Sequence, residues 1–204
     1  MSTTVTVLLV IAVVVIAVLW YFAVYNDFVR LRNLVAESWR QVDVELQRRH
    51  ELIPNLVATA ERAAAFERGT LEAVTAARVN AAAASAAGSE VTGVVTAETA
   101  LTNALSRLSA VAEQYPDLGA IHNYLSLQSD LGDAEDRIAA TRRLYNANVR
   151  ALNTKIESIP ATLVATLHHV LPAQYFDLTT PDARSAVPVA TLFRSPDHPS
   201  PRPV

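Results

Sequence analysis

Residues 5–53 read VTVLLVIAVVVIAVLWYFAVYNDFVRLRNLVAESWRQVDVELQRRHELI, and the change of pattern inside this stretch decides the fold. From Val5 to Val24 the only polar residue is Thr6. A helix of about 20 residues, rising about 1.5 Å each, crosses the roughly 30 Å hydrocarbon layer of a bilayer. Trp20, Tyr21, Phe22 and Tyr25 gather at the C-terminal end of the run, where aromatic rings favour the headgroup boundary. A cleaved signal peptide would show a basic residue ahead of a shorter apolar run. No Lys or Arg precedes this one, so the span is expected to stay in the mature protein. Arg30, Arg32 and Arg40 follow it, which by the positive-inside rule puts the N-terminus outside and the body in the cytoplasm of a cell-membrane protein.

After Tyr25 the unbroken apolar run gives way to a seven-residue period. Phe28, Val35 and Val42, with Trp39, Leu46 and Ile53 and with Leu31, fall on one face of a helix that continues out of the membrane. Pro54 lacks a backbone donor and is expected to kink or restart that helix. A second apolar series runs through Leu56, Ala60, Ala63, Leu71 and Val74 into an Ala-rich stretch, 76–87, that reads as helix because Ala is the strongest helix former. Gly88 supplies a left-handed stop. A third stripe, Val94, Ala97, Leu101, Ala104, Leu105, Leu108, Val111 and Tyr115, ends at Pro116. Asp117 is placed to cap a helix over 118–156, about 58 Å long, on which Tyr124, Leu131, Ile138, Tyr145 and Leu152 keep the seven-residue step. A short helix over 161–170 is expected between Pro160 and Pro172.

Long helices joined by short turns pack antiparallel, and a period near 3.5 suits left-handed bundle packing. The expected fold is therefore all-α: an N-terminal transmembrane helix followed by an elongated antiparallel four-helix bundle, the segments on either side of Pro54 being counted separately. The organisation reads as a short outer N-terminus over 1–4, the span over 5–25, the helical domain over 26–178, and a Pro-rich disordered tail over 179–204. That tail holds six of the ten Pro.

Composition removes chemistries more readily than it suggests one. Among 204 residues there is no Cys, so no thiolate nucleophile and no Cys-ligated metal. Balancing 17 Lys and Arg against 20 Asp and Glu leaves no basic footprint for nucleic acid. His50 and Glu51 begin HELIP, which lacks the second His of a zinc-protease helix. No Glu-x-x-His pair of a di-iron bundle occurs, and His168 and His169 project about 100° apart on a helix. The five His are read as isolated surface or interface residues. Gly88 to Gly93 has the outline of a phosphate loop, but Val94 stands where the Lys would be. No catalytic, cofactor-binding or metal site is expected.

The exceptions are polar residues at core-facing positions. Gln128, Glu135 and Arg142 share one heptad series of the longest helix, and Arg78 lies one heptad after Leu71. A buried unpaired charge costs several kcal/mol, so each must find a partner, reach solvent or line a pocket. The expectation is a structural polar network of Asp43, Arg78, Gln128, Glu135 and Arg142, with Glu135 meeting Arg78 or Arg142 and Asp43 joining from the first helix.

Several blocks carry a resemblance. The first helix has Tyr25-Asn26, Leu31-Arg32-Asn33, Trp39, Gln41-Val42-Asp43-Val44, Leu46, Arg48-Arg49 and Leu52-Ile53-Pro54-Asn55-Leu56-Val57. Thr70-Leu71-Glu72-Ala73-Val74-Thr75 with Ala77-Arg78, and Tyr115-Pro116-Asp117-Leu118, follow. Glu135, Arg137-Ile138, Arg142-Arg143, Tyr145-Asn146, Asn153 and Tyr175-Phe176 complete the set. This pattern resembles the LemA family of bacterial membrane-anchored helical proteins, over residues 1 to about 178. The chain departs from it at Arg62, Ala63, Phe66 and Ile159. The resemblance implies one N-terminal span, a short outer N-terminus and a four-helix domain, with no established catalytic activity.

The function expected is thus a single-pass, membrane-anchored scaffold or interaction module without catalysis. Its partners would be the lipid bilayer and a membrane or cytoplasmic protein, or a second copy of the chain, and it would need no cofactor. The alternatives are a juxtamembrane lipid-contacting or membrane-stress-linked module, using Arg30, Arg32, Arg40, Arg48 and Arg49, and behind these a bundle enzyme or metalloprotein.

Overall fold

The computed structural model describes residues 3–62, 67–115 and 122–178. Among them the fold is all-α, with five helices and no strand: α1 Thr3–Glu61, α2 Arg68–Ala86, α3 Val91–Ala112, α4 His122–Glu157 and α5 Ala161–Leu167. Asp117 and the tail over 179–204 lie outside the described residues, as does Ala63.

α1 runs for 59 residues, about 88 Å, from the apolar N-terminal segment into the body without a break. Its first part is long and apolar enough to cross a membrane, and that part is almost wholly bare of protein contacts. Pro54 does not restart the helix, as its missing donor suggested; α1 passes through it to Glu61. A proline removes the donor to the carbonyl four residues earlier, which here is His50. Arg78 of α2 takes that carbonyl, its Nε donating at 2.7 Å, so the lost backbone bond is replaced by a tertiary one. The division between the first two body helices therefore falls after Glu61.

α2 ends as its Gly requires. Gly88 adopts φ 61, its N–H reaches the Ser85 carbonyl and the Ser89 N–H reaches that of Ala84, a Schellman closure that turns the chain back into α3. α4 lies antiparallel along α1. Lys155 meets Asp27 at 3.0 Å, the Asn148 side chain reaches the Leu34 carbonyl, and Glu135 meets Arg49, so one number falls as the other rises. The Arg30 hydrogen bond, then Lys155, hold the Asp27 carboxyl below the usual carboxylate range.

The heptad residues form the core in three zones. At the far end Ile53, Leu56 and Ala60 of α1, Leu71 and Val74 of α2, Leu101 and Leu108 of α3 and Tyr124 of α4 share one cluster, so all four long helices meet there. In the middle, Val42 and Leu46 pack with Val94, Ile138, Tyr145 and Val149. At the membrane end, Val24, Phe28 and Leu31 pack with Leu152 and with Ala161, Val164 and Ala165 of α5.

The last helix is shorter than expected; it closes in a turn at His168 and His169, and a non-helical strap over 170–178 runs back along α4. Two asparagines hold the strap. Asn153 binds both the N–H and the C=O of Ala173 (2.9 and 3.0 Å), and Asn146 binds both those of Phe176 (2.9 and 3.1 Å). Three extended residues span about 10 Å, as do seven helical ones, so the two clamps share one register. Phe176 is thereby seated, fully buried, on Trp39 with its ring centroid 5.5 Å away. The Asn146→Ala/Asn153→Ala pair should free the strap and leave the helices in place. In the full chain in detergent micelles, amide exchange at Ala173 and Phe176 should then speed up by more than tenfold, with helical circular dichroism unchanged.

Candidate functional site

The sequence places Arg49 one heptad beyond Val42 and one before Leu56, inside an apolar series. On α3, Glu98 sits between Val94 and Leu101 in the same way. Packing α1 against α3 therefore buries an arginine and a carboxylate together. Both side chains are 0% exposed, and Arg49 Nη2 donates to Glu98 Oε2. The other Glu98 oxygen is 2.8 Å from His50 Nε2. Arg49 Nη1 donates to Glu135 Oε1 of α4 at 2.5 Å and to Thr102 Oγ1 at 3.3 Å. Arg49 Nε is buried with no acceptor.

The Arg78 bond to the His50 carbonyl extends this cluster to α2. One connected polar set thus touches all four long helices at one level of the body, with an apolar zone on either side.

Of the residues predicted from sequence, Glu135 and Arg78 belong to this set, on partners other than those expected. Glu135 pairs with Arg49, and Arg78 bonds a carbonyl. Arg142 lies seven residues along α4 from Glu135, about 10 Å away in rise, and makes no ion pair among the described residues. Asp43, half-buried on α1, accepts from Gln47 one turn on and makes no ion pair with this set. Gln128 reaches Ser109 Oγ of α3 at 3.3 Å. His50 is neither a surface residue nor isolated. Sequence reading missed Arg49, His50 and Glu98, although extending the Phe28, Val35, Val42 series by one step lands on Arg49.

Chemically the set is closed. Both Glu98 oxygens and both terminal nitrogens of Arg49 are engaged, and no solvent reaches them. Glu135, its side chain 42% exposed, opens outward. It lies at the edge of a cavity of about 460 Å³ between α3 and α4, floored by Leu56 and walled by Leu105, Tyr124 and Leu131. Ser106, Ser109 and Gln128 add uncharged polar groups to that wall. No group of three or more His, Asp or Glu able to hold a metal occurs among the described residues. The arrangement positions helices; it presents no nucleophile beside a base.

Comparison with known proteins agrees with the architecture. The LemA family profile matches residues 38–190. Magnetosome protein MamQ 2 and magnetosome protein MamQ 1 of Paramagnetospirillum magneticum are each 29% identical over 174 residues, covering 74% of this chain and 64% of their own. Magnetosome protein MamQ of Magnetospirillum gryphiswaldense is 36% identical over 74 residues, 36% of this chain and 27% of its own. The chain thus spans less than two thirds of the length of these relatives. None of these names is that of an enzyme.

Two stability measurements test the polar set, both on thermal or denaturant unfolding of the full chain in detergent micelles. Arg49→Met should cost about 3–5 kcal/mol, because it strands the Glu98 carboxylate, and Arg49→Met/Glu98→Met should recover part of that loss. Arg78→Met should cost about 1–3 kcal/mol by leaving the His50 carbonyl unpaired. In a Pro54→Ala background, where residue 54 regains its N–H, the same Arg78→Met change should cost less, a coupling that a double-mutant cycle reads directly.

Proposed function

The chain belongs to the LemA family of helical, membrane-associated proteins, and from this premise we propose that it is a single-pass, membrane-anchored scaffold that presents its helical faces to a protein partner or a second copy. The observation that carries this reading is the continuity of α1. The same helix that offers a bare apolar span over its first part supplies the buried core residues Val42, Leu46, Ile53 and Leu56 further on. A helix with no break transmits position and orientation from bilayer to body, which suits a spacer or platform and is not required of a catalyst.

Two further features support it. Buried Arg49 and Glu98 pair with each other and with Glu135 and His50, and this set presents no convergent reactive group among the described residues. The body also carries exposed apolar side chains on three helices, among them Val44 on α1, Val79 on α2 and Leu125 on α4. In this reading the arginines that follow the span place the body in the cytoplasm. The magnetosome assignment belongs to the longer relatives; what is carried over from them is the architecture.

Photo-crosslinking in native membranes tests the proposal, with the reactive residue placed in turn at Val44, Val79 and Leu125. A scaffold should give a discrete adduct of one mass, to one partner or to itself, from at least one helix face. Recovery of the folded chain as monomer alone from all three positions would overturn the scaffold reading.

A further inference from the structure

Residues 158–176 contain no Asp, Glu, Lys or Arg. Prolines at 160 and 172 interrupt the stretch, so it cannot form a second span, and only Ala161–Leu167 is helical. One face of that helix is accounted for: Ala161, Val164 and Ala165 are buried on Val24, Phe28 and Leu31 of α1. The other face is bare. Leu163 and Leu167, one turn apart, are flanked by Ile159 before the helix and Leu171 after it, and all four side chains are between 65% and 87% exposed. The hydroxyls in this segment do little to offset that surface. Ser158 and Thr166 both turn back onto carbonyls of their own chain, at 2.6 and 2.9 Å.

The position of this face is what gives it meaning. His168, next to Leu167, has its Nε2 at 2.6 Å from the Tyr21 hydroxyl, and its ring centroid lies 4.7 Å from that of Tyr25. Tyr21 and Tyr25 belong to the aromatic group that ends the apolar run of α1. Tyr21 is four residues inside that end, about 6 Å deeper along the helix. The leucines of α5 therefore lie beside the segment of α1 that meets the headgroup layer, next to the cluster in which Tyr21 and Val24 also meet Leu152 and Ile156 of α4. Aromatic rings with a polar tip gather at this depth, and uncharged apolar surface laid alongside them is stabilised by the acyl boundary.

We propose that Ile159, Leu163, Leu167 and Leu171 form a second membrane contact, an apolar foot that lies in the interfacial layer of the same bilayer that α1 crosses. This rests on the reading of α1 as a span, and holds for either orientation of the chain. The occupant of the face is lipid. With α1 piercing the bilayer and the foot resting in it a helix-width away, the body is fixed in tilt and rotation, where one helix alone would leave it free to swing. Apolar interfacial contact of this kind needs no Lys or Arg, in keeping with their absence from 158–176.

The chain has no Cys, so single cysteines introduced for spin labels are specific. The full chain is reconstituted in vesicles of phosphatidylcholine and phosphatidylglycerol, with labels at Leu163→Cys and Leu167→Cys. References are Val13→Cys within the span and Arg107→Cys on the exposed side of α3. Collision with dissolved oxygen, which concentrates in lipid, is compared with collision with a water-soluble nickel chelate. At 163 and 167 the oxygen-to-nickel ratio should stand several-fold above that at 107 and approach that at 13. If 163 and 167 match 107 while 13 remains lipid-like, the foot is refuted and the span survives. Should 13 itself read as aqueous, the span reading fails and the foot with it. Low collision with both reagents at 163 and 167, together with spin–spin broadening that disappears on dilution with unlabelled chain, would assign the face to a second copy and overturn the lipid contact. Circular dichroism of each labelled chain establishes that it is folded, and these surface positions leave the core untouched.

Discussion

Arg49 has no exposed surface, and its charge must be met inside the protein. Glu98 from α3 and Glu135 from α4 meet it, His50 takes the remaining Glu98 oxygen, and the carbonyl of His50 takes Arg78 from α2. Apolar heptad faces tolerate a shift of one turn, because one Leu can replace another in the same layer. A buried guanidinium cannot shift without stranding the buried Glu98 carboxylate. The polar layer therefore fixes which turn of each helix faces which, a role that single polar residues also fill in coiled-coil seams.

Pro54 joins this constraint from the backbone side. Within one long helix it leaves the His50 carbonyl without its usual donor, at a point where α2 passes with Arg78. The interruption in the helix ladder and the arginine of a neighbouring helix answer each other, and α1 continues past the proline as a single element. That continuity joins the apolar N-terminal segment and the body in a single helix. The strap held by Asn146 and Asn153 then returns from the membrane end toward the middle of the body, seating Phe176 on Trp39.

The cavity between α3 and α4 and the polar layer meet at Glu135 and Thr102. The proposed scaffold role rests on a body whose buried Arg49 and Glu98 pair with each other and whose outer faces carry scattered apolar residues. The surface of α5 near Tyr21 and Tyr25 differs from the rest of the body, since chain without Asp, Glu, Lys or Arg replaces the mixed polar surface found elsewhere.

The sequence by itself determined the all-α class, the apolar span, the heptad core residues and the Gly88 stop, since each depends on local periodicity, length or one residue's allowed φ. Residues such as Val42, Ile53, Leu101, Ile138 and Tyr145 were legible as core for that reason, and all are buried. It also marked Glu135 and Arg78 as polar groups in need of partners. Tertiary structure alone decided who those partners were, because the choice depends on the relative stagger of helices far apart in sequence: Arg49 is 86 residues from Glu135 and 49 from Glu98. It likewise decided that α1 survives Pro54, since the group that replaces the lost hydrogen bond comes from another helix. A periodic pattern specifies a face, and only the packing of several faces specifies a pair.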